Sequence, residues 1–188
     1  MSNKKMELFK VSFISFILLL TGGLLAACSN DDASDPNLGI VEKVIKLQFN
    51  GPDKKMMDLL DNPDNTKIVD GKQVNEKFDK YITEIYGDYF TEDYLVPFLQ
   101  IQGLRYPTAA AFSGYELSLK DTVVKQPEKD SNRYTFTATV GYTKDGEKER
   151  TADVSGVVLF STKENGKIGK FEYGEDNGLS EELFSSDE

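Results

Sequence analysis

The 188-residue chain has no histidine, no tryptophan and one cysteine, Cys28. Without imidazole, any proton transfer falls to carboxylates, lysines or tyrosines. A single thiol builds neither a disulfide framework nor a Cys-based structural zinc site. Basic residues are also short, with 22 Lys and Arg against 32 Asp and Glu and a net charge of -10. That charge opposes the counterion release through which proteins bind nucleic acid, so no nucleic-acid partner is expected. The sequence carries no nucleophile motif, metal triad, phosphate loop or paired-Cys motif, and no cofactor or metal is expected.

What is present begins at the N-terminus. Lys4, Lys5 and Lys10 precede an apolar run over residues 11–20, and the chain then reaches Leu25-Ala26-Ala27-Cys28. The run is short for a membrane span, which needs about 20 apolar residues, and it lies close to a small-residue cleavage site, as in a secretory signal. Leu-Ala-Ala-Cys in this position resembles the lipobox of bacterial lipoproteins. The resemblance implies a signal peptide over 1–27, cleavage before Cys28 and a diacylglyceryl group on its sulfur. The partner so implied is the membrane, and the location is the extracytoplasmic face of the cell membrane. Two acyl chains, at about 0.8 kcal/mol per buried CH₂, hold a protein where one chain binds only reversibly. Cleavage removes three Lys and one Glu, leaving 19 basic against 31 acidic residues. A body of net charge -12 is not drawn to anionic lipid, so attachment rests on the acyl chains.

Residues 28–37 read as an acidic tether, 38–174 as one domain and 175–188 as an acidic tail with only Leu179, Leu183 and Phe184 apolar. The tail is expected to fray, or to form a short helix from Ser180 that docks through Leu183 and Phe184. Val41, Val44, Ile45 and Phe49 recur at helical spacing until Asn50-Gly51-Pro52, which predicts a left-handed cap and a stop. Asp53 caps a second helix carrying Met56, Met57, Leu59 and Leu60, broken by the loop over 61–65. Val74, Phe78, Tyr81, Ile82, Ile85 and Tyr86 predict a third helix, ended by Gly87. Thr91 caps a further turn, and Pro97 predicts a kink or two short pieces up to Gln102.

Beyond Gly114 the apolar period falls from 3.6 to 2 over four runs, 115–125, 133–142, 150–161 and 167–173. Turn residues separate them, including Asp145-Gly146 and Asn165-Gly166. In the second run Tyr134, Phe136, Ala138, Val140 and Tyr142 share one face, and Arg133, Thr135, Thr137 and Thr139 share the other. Helices first and an antiparallel meander afterwards predict an α+β domain with N-terminal helices on one side of a curved sheet.

This order, with the closing Asn165-Gly166-Lys167-Ile168 hairpin, resembles the NTF2-like, or cystatin-like, fold over residues 38 to 173. The resemblance implies a cone whose pocket lies between helix and sheet. Members include isomerases, dehydratases and non-catalytic binding or assembly domains, so the fold leaves use open. Together with the lipobox, the chain resembles small surface lipoproteins of Gram-positive bacteria.

Site candidates follow from chemistry without histidine. Asp121 and Asp153 interrupt strand alternation and are the candidates for a desolvated general base; the bland account puts them at a bulge or on the wet face. Tyr134, Tyr142 and Tyr115 offer hydroxyls to a ligand, or simply pack their rings. Tyr94, Phe98, Arg105 and Tyr106 belong to a stretch that also holds Phe90 and Phe112, the residue types that anchor interfaces and also fill cores. Asp58, Asp61, Asp64 and Asp70 with Asn62 and Asn65 are oxygen-rich but lack calcium-loop spacing, and read as a solvated loop. The leading expectation is a lipid-anchored domain that binds an unknown protein or small ligand through the sheet and the 88–114 segment. The alternatives are a small lyase or isomerase using a buried carboxylate, and an envelope-scaffold subunit forming a homodimer through its sheet.

Overall fold

The first helix shows how the chain enters its fold. In the computed structural model, which describes residues 35–185, α1 spans Pro36–Phe49. The signal segment, the lipobox with Cys28 and residues 186–188 lie outside the described residues. Asp35 accepts the Asn37 amide at 3.0 Å and Pro36 supplies a helical φ, so the helix starts inside the segment expected to be tether. Its buried stripe is Val41, Val44, Ile45, Gln48 and Phe49. The stop after Phe49 falls where expected, but no left-handed residue makes it; the chain leaves through a cis Gly51–Pro52 bond.

Asp53 caps α2 (Lys54–Asp61) by accepting the Met56 amide at 3.0 Å, and Met56 and Met57 are buried. A 3₁₀ turn, Pro63–Asn65, leads into a small hairpin, β1 (Lys67–Val69) with β2 (Lys72–Val74). Val74, expected in the third helix, therefore lies in a strand. The reason is local: Asp70 and Gly71 take φ of 51° and 76°, the two successive positive angles that a two-residue hairpin turn needs. Asn75 then caps α3 (Glu76–Tyr86), accepting the Phe78 amide at 3.0 Å.

The 88–114 segment is almost wholly helical. It forms α4 (Glu92–Phe98), a π turn over Leu99–Gly103 and α5 (Arg105–Ser113). Pro97 sits inside α4 and lacks the N–H that would continue its ladder, and the wider turn follows at once. The sequence reading gave no helix at Arg105–Ser113, although Ala109-Ala110-Ala111 favours one.

Strands β3 (Tyr115–Lys125), β4 (Arg133–Lys144), β5 (Arg150–Phe160) and β6 (Ile168–Tyr173) form an antiparallel sheet in chain order. Tyr134, Phe136, Ala138, Val140 and Tyr142 are all buried, as their alternation requires. Gly156 stands opposite Phe136, whose ring would lie 2.3 Å from a Cβ there, so glycine makes room for the aromatic. The fold is α+β, with helices and a four-stranded antiparallel sheet sharing one apolar core.

The residues after Gly174 are not a frayed tail. They form α6 (Leu179–Phe184), whose Leu179 and Leu183 are fully buried in the core. Leu179, not Phe184, partners Leu183 in docking; Phe184 is 60 % exposed.

Candidate functional site

The helix–sheet interface, expected to hold a pocket, is filled by rings. Phe98 stacks on Phe90 at 4.2 Å and meets Phe171 edge-on at 5.4 Å, while Phe49, Tyr106 and Tyr173 lie within 4.9–5.9 Å of one another. The buried amide of Gln48 is satisfied inside this cluster, donating to the Tyr86 hydroxyl at 2.7 Å and accepting from Tyr173 at 3.1 Å. A groove lined by sheet aromatics, the geometry that ligand binding between helix and sheet requires, is not formed there among the described residues.

The sequence candidates are scattered and occupied. Tyr94 is half-buried, and its hydroxyl donates to the Phe171 carbonyl and accepts the Phe171 amide, each at 3.0 Å. Phe98 is fully buried. The buried Tyr106 donates to Asp176 at 2.9 Å, and Arg105 stands 3.7 Å from the same carboxylate. Burial and the Asp176 bond both push the Tyr106 pKa above its usual range. Tyr134 donates to Asp35, tying β4 to the start of α1, and burial and that bond raise its pKa as well. Tyr142 is buried under the Arg150 guanidinium, 4.9 Å from its ring, and Tyr115 donates to Glu182 at 2.9 Å.

Asp121 and Asp153 are exposed. Asp121 sits at a β-bulge and accepts the Thr122 amide at 2.9 Å; Asp153 accepts the Thr139 hydroxyl at 2.7 Å. Both pair in register with Thr139, one from each side. In the 58–70 region Asn62 caps the 3₁₀ turn and Asn65 accepts Lys77 at 2.9 Å. Among the described residues no three Asp, Glu, Cys or His side chains are grouped to hold a metal ion.

The arrangement with binding chemistry lies elsewhere, in an open groove of about 540 Å³ between α1 and the end of α3. Leu47, Ile85 and Tyr89 give it an apolar side, and Lys43, Lys46, Asn50, Asp53 and Glu84 give it a polar one. Asp53 is fully used, with one oxygen on the Met56 amide and the other accepting Tyr81 at 2.7 Å. Burial, that bond and the Asp53 charge push the Tyr81 pKa up to about 12, so its proton stays in place at ordinary pH. Sequence reasoning passed over this groove because Lys43, Lys46 and Leu47 fall on the wet side of α1. The available signal was Leu47, an apolar residue outside the buried stripe.

A second groove, about 390 Å³, crosses the outer sheet face near Val123, Thr137 and Val157. No helix among the described residues is long and apolar enough to cross a membrane. No family model, curated protein or solved structure matches this chain.

Proposed function

We propose that the protein is a lipid-anchored extracytoplasmic binding domain, held by a diacylglyceryl group on Cys28 and engaging its ligand through the α1–α3 groove. The observation that carries the reading is the allocation of polar groups. The interior hydroxyls and amide bond one another, whereas the groove presents amines and carboxylates beside apolar side chains. The first described helix is capped by Asp35, so six residues separate that cap from Cys28 in the sequence. At no more than about 3.6 Å per residue, such a leash keeps the body close to the lipid surface. The order of elements supports an NTF2-like architecture in which the usual cone is packed solid. With Asp121 and Asp153 exposed, nothing favours the buried-carboxylate lyase over binding. The scaffold alternative would use the outer sheet groove, and a solution mass twice the monomer's would support it.

The test is metabolic labelling in a bacterial host with a clickable fatty acid. Wild-type protein should label and sediment with membranes. Cys28→Ala should lose the label and either leave the membrane fraction or retain its signal peptide. Equal labelling of both would overturn the anchor.

A further inference from the structure

The chain carries three Asn-Gly pairs, Asn50-Gly51, Asn165-Gly166 and Asn177-Gly178. Such a pair is reactive because glycine has no Cβ, so its amide nitrogen approaches the side-chain carbonyl carbon of the preceding asparagine without hindrance. All three asparagines are exposed, so access to solvent does not separate them. Hydrogen bonding does. At the first pair, Asn50 Oδ1 accepts the Leu119 amide at 2.9 Å and the Gly51 amide donates to the Leu117 carbonyl at 3.1 Å. At the third, Asn177 Nδ2 donates to the Asp153 carbonyl at 2.8 Å and the Gly178 amide donates to the Asp176 carboxylate at 3.2 Å. In both pairs the attacking nitrogen and the attacked side chain are held apart from each other by other partners. The middle pair is not held. Asn165 and Gly166 are the central residues of a turn closed by the Lys167 amide on the Glu164 carbonyl at 3.3 Å, with Gly166 at φ 72°. Among the described residues, neither the Asn165 side chain nor the Gly166 amide has a hydrogen-bond partner.

We propose that Asn165-Gly166 is a self-modification site, at which the folded protein converts Asn165 into aspartate and isoaspartate while Asn50 and Asn177 are preserved. The Gly166 amide gives its proton to solvent base, and its nitrogen bonds to Asn165 Cγ. The Cγ–Nδ2 bond then breaks, Nδ2 takes a proton from water and leaves as ammonia, and a five-membered succinimide remains. Water opens that ring at one of its two carbonyls. Breaking the new bond to Cγ gives aspartate, and breaking the original main-chain bond gives isoaspartate. One water is consumed and one ammonia released, with no redox step and no cofactor. Either product adds a negative charge to the turn, and isoaspartate also adds a carbon to the main chain between β5 and β6.

The experiment incubates the full folded chain in mildly alkaline buffer, digests aliquots in acid and follows the three Asn-Gly peptides by liquid chromatography and mass spectrometry. The Asn165 peptide should gain one mass unit and resolve into two isomers. Asn50 and Asn177 should react about thirtyfold more slowly, the rate equivalent of two ordinary hydrogen bonds that must open first. In urea, where those bonds are gone, the three rates should converge. Asn165→Gln, whose longer side chain cannot close a five-membered ring, should silence its own peptide and leave the other two rates unchanged. Folded Asn50 or Asn177 reacting as fast as Asn165 would overturn the assignment, because hydrogen bonding would then not set the reactivity. An Asn165 that stays intact in the folded chain yet reacts in urea would overturn it as well, showing that the turn itself protects. A single product at Asn165, without its isomer, would reject the succinimide route.

Discussion

Asp176 shows how much one carboxylate organises. It accepts the Tyr106 hydroxyl at 2.9 Å and the Ser180 and Gly178 amides at 3.2 Å each, with Arg105 alongside. Burial pushes its pKa up, but hydrogen bonds from Ser180, Tyr106 and Gly178 outweigh it, leaving the pKa below the ordinary 3.8. The folded chain therefore binds this proton less readily than the unfolded chain. The stability Asp176 contributes is complete well above pH 3.8 and is lost as acid carries the solution down through the lower folded value. Asp176→Asn should cost about 1.5–3 kcal/mol at neutral pH, the range for bonds to a charged group. Thermal melts recorded against pH should lose that part of the acid-side slope in the variant. Melts that superimpose at every pH would refute the role. Tyr106 and Arg105 stand in the sequence as candidate ligand- or partner-binding residues. Their ligand is the protein's own Asp176.

At the scale of elements, β6 is one of the two edges of the sheet, and an uncovered edge invites pairing with another chain. Tyr94 on α4 closes part of that edge by bonding both backbone groups of Phe171. Tyr94→Phe keeps the ring and removes both bonds, at an expected cost of about 1 kcal/mol. Hydrogen exchange should quicken at the Phe171 amide, with little change at Val158, its register partner on β5. Unchanged protection at Phe171 would show that the hydroxyl does not guard the edge. An aromatic at position 94 was legible as significant, but its target was not, because Phe171 is 77 residues away along the chain. The β1–β2 hairpin was misread for the opposite reason. Asp70-Gly71 announces a tight turn locally, and the helical spacing of Val74 with Phe78 masked it.

For the molecule as a whole, the C-terminal segment closes the fold. Leu179 and Leu183 are fully buried, Arg150 reaches Glu182 at 2.5 Å, and Ser113 donates to the Leu183 carbonyl at 2.6 Å. Burying two leucines is worth about 3–6 kcal/mol, a large share of a typical domain's net stability of about 5–15 kcal/mol. A chain ending at Gly174 should therefore melt far lower than the full protein by circular dichroism, or aggregate; a native-like melt would show the segment to be dispensable. The sequence by itself determined the α+β order, the four strands and the face the second strand buries, because helical and strand periods and turn residues act over a few positions. Only the tertiary structure decided that Leu179 and Leu183 join the core, that Tyr106 and Tyr134 are spent internally, and that Lys43 and Lys46 line a groove with Leu47, Ile85 and Tyr89. Each of those outcomes depends on which side chain stands opposite across tens of residues, and local spacing carries no record of that.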